Sequence, residues 1–130
     1  MTGPISEGLS HCYSLLYIAE KELRANNCPI RALLCYENCR HIAEKNVRKE
    51  QVYSHCLLRA SRKEGQLLRN MNLHNRAFRI LKKIEKLTVD SPATMDKFLL
   101  YVQLNDLSDY FDSSENQYFF HKMRHVAGLV

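Results

Sequence analysis

The chain has 130 residues, 45% hydrophobic and 25% charged, with only four Gly and three Pro, which suits one globular domain and excludes long disordered linkers. No apolar run approaches the ~20 residues a membrane helix needs, and the opening stretch MTGPISEGLSH has neither the basic nor the apolar region of a secretory signal. The five cysteines therefore read as reduced thiols in cytosol or nucleus, and no membrane is expected as a partner.

The first helix is expected over about residues 5–25, where Ile5, Leu9, Cys12, Leu16, Ala19 and Leu23 make one apolar seam. Asn26 and Asn27 end it, because Asn tolerates the left-handed conformation of helix C-termini. The second helix, over 29–46, has Pro29 in its first turn and Asn27 or Cys28 as its cap. Ala32, Cys35, Cys39 and Ile42 form its stripe. Leu33, Leu34, Tyr36 and Ala43 widen it so far that a helix must cover it from either side. Asn46 is its expected terminator.

The third helix is expected over 48–69, with Val52, Cys56, Ala60, Leu67 and Leu68 inward. Gly65 costs about 1 kcal/mol against alanine inside a helix, so it marks a close crossing or a kink. The break at Asn70–Asn72 leads to a fourth helix over 73–87, with Leu73, Ala77, Ile80, Ile84 and Leu87 as its seam. Ser91-Pro92 then supplies a cap and first position for a fifth helix over 92–107. Its Met95, Leu99 and Val102 and its Leu100, Leu104 and Leu107 suggest burial on both faces. Residues 108–114 are polar and acidic and read as a loop. A sixth helix over 115–127 uses Phe119, Met123 and Val126, with Gly128 at its end.

Residues 1–130 thus form a single all-α domain of about six antiparallel helices, three helical hairpins in sequence. They can stack as an open right-handed α-solenoid or close into a helical bundle. Gly65 and Ala77 stand twelve positions apart, with Leu68, Leu81 and Ile84 around them, and Ala32, Tyr36 and Cys39 give a similar pattern earlier. Over about residues 10–87 this resembles the tetratricopeptide repeat, in which a small residue on one helix faces an alanine on the next. Glu20 stands at the small position of the first pair. The two alanines are 45 residues apart, a spacing closer to the armadillo and HEAT class than to a period of about 34. The resemblance implies a scaffold whose groove holds a peptide or a partner helix. An array of three pairs has little stability to spare, so the chain is expected either to be part of a longer array or to be capped by a partner.

No Gly-rich phosphate loop, nucleophile elbow or paired-carboxylate motif is present, and an enzyme is not expected. Cys35, Cys39 and His41, with His11-Cys12 and His55-Cys56 on flanking helices, are the types that bind metal. The two-residue cysteine knuckle is missing, so they read as small core residues and no metal or cofactor is expected. His121 and His125 have the helical metal spacing, but Lys122 stands where H-E-x-x-H has its glutamate.

Charge is distributed unevenly. Residues 59–86 hold nine basic and two acidic side chains, whereas 88–120 hold Lys97 against six acidic ones. Arg59, Arg62 and Arg69 on the third helix and Arg76, Arg79, Lys83 and Lys86 on the fourth can merge into one basic ridge. It would attract an acidic segment of another protein or, alternatively, nucleic acid, or it would simply face the chain's own acidic segment. The aromatic region Tyr110, Phe111, Tyr118, Phe119 and Phe120 exceeds what one short helix buries. It caps the helical stack or docks another subunit, a homo-oligomer contact included. The expected function is a non-catalytic adaptor or complex subunit that binds a partner through this ridge and this aromatic region.

Overall fold

In the computed structural model, which describes residues 4–128, six helices follow one another: α1 Pro4–Arg24, α2 Pro29–Asn46, α3 Tyr53–Asn70, α4 His74–Leu87, α5 Thr94–Tyr110 and α6 Asn116–Val126. The described residues are all-α and contain no strand. The side chain of Ile5 lies outside the described residues.

Three of the five connections turn on one device. Asn27 after α1, Asn72 after α3 and Asp112 after α5 have φ of 46°, 63° and 52°, the left-handed region that Asn and Asp enter most cheaply among residues with a side chain. Leu73 N–H then donates to the Leu68 carbonyl and Ser113 N–H to the Ser108 carbonyl, both at 2.8 Å, the backbone closure of a Schellman turn. At the first turn Cys28 N–H reaches back to the Glu22 carbonyl at 2.9 Å. The α2–α3 and α4–α5 connections have no left-handed residue. Asn46, the expected terminator, is still helical, and its amide donates to the Ile42 carbonyl at 2.8 Å.

Packing runs between sequence neighbours and along the odd-numbered helices: α1 packs on α2, α2 on α3, α3 on α4, α4 on α5 and α5 on α6, while α3 also touches α1 and α5. Helix α3 thus meets four others, and its composition shows why it can. Cys56, Ala60 and Ser61 are small, Leu57, Leu58 and Leu68 are large, and all are buried on different sides of the helix. Gly65 lets α4 approach, since a Cβ there would stand 3.0 Å from Leu81 Cδ1. An ion pair is buried between α2 and α3. Arg40 Nε of α2 donates to Glu64 Oε1 of α3 at 2.6 Å and its Nη2 to Oε2 at 3.2 Å. Burial holds the Glu64 carboxyl above its ordinary pKa despite Arg40.

Several expectations need correction. Helix α3 begins at Tyr53 rather than at residue 48, and Val52, expected inside, is exposed. The charged run Arg48–Lys49–Glu50 stays in solvent while Val47 is buried behind it. Leu73 precedes α4 as its cap residue and is exposed, and Met95 is 69% exposed on α5. Ser91-Pro92 does not begin α5. The Ser91 hydroxyl donates to Ser54 Oγ at 2.8 Å and accepts from Ala93 N–H at 3.1 Å, forming a turn before the helix rather than its cap. Residues 108–110, expected in a loop, continue α5. Leu107 and Ser108 are fully buried, and the Ser108 hydroxyl bonds back to the Asn105 carbonyl at 2.8 Å.

Candidate functional site

The basic positions of α3 and α4 fall around separate depressions. Arg59 and Arg62 reach a groove between α1 and α3, Arg69 lies beside His74 at the α3–α4 turn, and Arg79, Lys83 and Lys86 line a third depression against α6. Much of their charge is already paired. Arg62 Nη2 donates to Asp96 Oδ1 of α5 at 3.0 Å, Arg76 Nη2 to Glu37 of α2 at 3.2 Å, and Lys83 Nζ to Glu44 at 3.3 Å. Lys82 bridges to Glu115 at 3.1 Å while lying 4.5 Å over the Phe78 ring. No carboxylate among the described residues pairs with Arg59, Arg79 or Lys86.

The α1–α3 groove is the largest of the three, about 770 Å³. One wall is a second stripe of α1, beside its apolar seam: Tyr13, Tyr17, Glu20, Lys21 and Arg24 recur at helical spacing. The other is Arg59, Arg62 and Lys63 of α3. Glu20 is held between Arg24 at 3.2 Å and Lys63 at 3.9 Å. Tyr36 of α2 closes the floor. It is fully buried, and its hydroxyl has no hydrogen-bond partner among the described residues. Burial, with Glu20 nearby, pushes its pKa up to about 12. Arg62 Nε is likewise buried without a partner. Of these residues Glu20, Tyr36, Arg59 and Arg62 stand out in the sequence, Glu20 as an exception to the repeat pattern and Tyr36 as a core residue. The stripe Tyr13, Tyr17, Lys21 and Arg24 is readable as one face of α1 once the apolar seam is set aside.

The C-terminal aromatics divide in two. Phe119 is buried and meets Phe78 edge-on at 6.2 Å, and Phe111 stacks on Phe78 at 5.5 Å. Tyr110 is exposed but stacks on His74 at 4.2 Å. Tyr118 and Phe120 are exposed. Glu85 anchors α6: its Oε2 accepts from Tyr101 OH at 2.7 Å and from Tyr118 OH at 3.0 Å. Burial and these bonds raise both tyrosines above the ordinary range.

Of the cysteine and histidine candidates, Cys12, Cys39 and Cys56 come together from α1, α2 and α3, each fully buried. Cys12 Sγ lies 3.8 Å from the Cys39 carbonyl and Cys39 Sγ 3.6 Å from that of Cys12. For Cys12 the bond from Cys39 favours the thiolate, but the bond to Cys56 and burial outweigh it and hold the pKa at about 12. Cys39 is raised by its bonds to Cys12 and Cys56 and by burial. Cys56 receives both bonds and is lowered against its own burial. His11, His41 and His55 are exposed, as are His121 and His125, and Cys35 stands apart from the trio on the edge of the core. No group of three or more His, Cys, Asp or Glu among the described residues is arranged to hold a metal ion. No helix among them is long and apolar enough to cross a membrane.

What fold and site define together is a six-helix protein with three separate depressions lined by basic side chains. No family model, no curated protein and no solved structure matches the chain.

Proposed function

We propose that the chain is a non-catalytic protein-interaction module, an adaptor or complex subunit of the cytoplasm or nucleus. In this reading the helices form an open array of three hairpins, similar to the tetratricopeptide class, and the array binds an acidic or amphipathic segment of another protein. The observation that carries the reading is the packing order. Helices α1, α3 and α5 lie side by side through α3, and each even helix packs chiefly on its neighbours in sequence, with side-chain contacts joining α2 to α4 and α4 to α6. That order favours an array over a closed bundle, in which first and last helices would meet. The left-handed turn repeated after each odd helix supports the same division into hairpins.

The α4–α6 depression suits an acidic partner. Arg79 and Lys86 on its rim have no carboxylate partner among the described residues, and exposed Tyr118 supplies an amphipathic wall. The test is capture from native extract by wild-type protein and by the triple variant Arg79→Glu/Lys83→Glu/Lys86→Glu, with mass spectrometric identification. One recurring protein, held at stoichiometric ratio by the wild type and released by the triple variant, is expected. Retention that disappears on nuclease treatment would transfer the basic positions to nucleic acid.

A further inference from the structure

We infer that the α1–α3 groove is a second binding site, one that takes a carboxylate of an extended acidic peptide over Tyr36. The inference rests on the binding-module reading, and four observations lead to it.

The first is the floor. A buried hydroxyl without a hydrogen bond is desolvated with nothing in return, and such groups in folded proteins have a reason. Here two belong to residues that line one groove, Tyr36 OH and Arg62 Nε. Arg62 Nε–H can only donate and Tyr36 OH can donate, so the group that satisfies them is an acceptor. The second is position. The Asp96 carboxylate fixes the far end of the Arg62 guanidinium at 3.0 Å, which leaves its Nε held in place.

The third observation is charge. Five of the six ionisable lining residues other than Tyr are basic, and Glu20 is already engaged by Arg24 and Lys63. No carboxylate among the described residues pairs with Lys21 or Arg59. An anionic acceptor is therefore favoured over a neutral one. The fourth is shape. From Tyr13 to Arg24 the α1 wall runs about 16 Å at 1.5 Å per residue, the span of roughly five extended residues at about 3.3 Å each. Tyr13 and Tyr17, 50% and 67% exposed along it, offer ring faces to side chains between the acidic ones. A peptide that alternates carboxylates with apolar residues fits this wall.

The experiment is fluorescence anisotropy with the labelled octapeptide Glu-Ala-Glu-Leu-Glu-Ala-Glu-Leu and its counterpart with Gln for every Glu. Both are titrated with wild-type protein, with Tyr36→Phe, with Arg59→Glu and with the triple variant described above. Tyr36→Phe keeps the ring and removes the hydroxyl, and Arg59 is exposed, so the fold is retained, as melting curves will check. Saturable binding of the acidic peptide is expected, at least tenfold weaker for the Gln peptide, for Tyr36→Phe and for Arg59→Glu. Equal binding of the two peptides, or full binding by both groove variants, overturns the site. If only the triple variant loses the peptide, the groove proposal fails while the module reading stands. No saturable binding of either peptide to any of the proteins counts against both. An octathymidylate that displaces the acidic peptide at lower concentration than unlabelled peptide overturns the choice of a peptide ligand.

Discussion

The two ends of the molecule are packed by opposite means. Where α1, α2 and α3 cross, the buried positions are small: Cys12, Ala19, Ala32, Cys39, Ala43, Cys56 and Ala60 are all fully enclosed. Backbones approach closely there, and the large side chains Tyr36 and Tyr53 are fully buried among them. Tyr53 even requires Gly8 opposite, since a Cβ at that position would lie 2.6 Å from the tyrosine oxygen. Where α4, α5 and α6 meet, rings fill the space instead. Phe78 receives Phe111 and Phe119, and Glu85 gathers two tyrosine hydroxyls. The difference teaches which errors each end tolerates. The first end has no space to give and the second has no filling to lose.

The largest effect should come from emptying the ring-packed end. Phe119→Ala removes a buried ring with partners in α4 and is expected to cost about 3–5 kcal/mol, read as a lowered midpoint in urea. Phe119→Leu should recover most of it. A loss below about 1 kcal/mol would mean that α6 is not held by this ring, and the proposed contrast would fail at that end. The close-packed end should show the reverse order. Cys39→Leu adds volume where three helices cross and is expected to cost about 1–3 kcal/mol, whereas Cys39→Ala should cost less. If the leucine were tolerated better than the alanine, α1, α2 and α3 would not be as close as their small residues indicate.

How much of this is legible in the sequence depends on whether a position is decided locally. The bounds of α2 follow from Pro29 and its apolar stripe, and Asn27 and Asn72 are readable as left-handed stops because short polar side chains favour that conformation. The start of α5 is not, because the Ser91 hydroxyl is taken by Ser54, 37 residues away. Nor is the division of the basic ridge. Spacing on a helix shows that Arg62 and Arg69 share a face with Arg59, but not that Asp96 of α5 holds Arg62 at 3.0 Å. The groove over Tyr36 is the least legible of all. Its aromatic identity and apolar setting both read as core, and the property that matters, a buried hydroxyl without a partner, exists only once three helices surround it.

The smallest expected effect is chemical and leaves stability untouched. Five free cysteines report on the close-packed end, two of them, Cys28 and Cys35, partly exposed and three fully buried. Under limiting iodoacetamide, with sites read by mass spectrometry, Cys28 and Cys35 should be labelled first, although burial raises the Cys35 thiol and slows it. Cys12, Cys39 and Cys56 should be labelled only as the helices open. Cys56 is the decisive one. Its two neighbours lower its pKa, so by acidity alone it should react early, and only lack of access holds it back. If it is labelled with Cys12 and Cys39, at one rate that rises in step with added denaturant, the first three helices open as a single unit. If it is labelled early and alone, α3 moves away from α1 and α2 before the rest, and close packing at this end is a property of the first hairpin only.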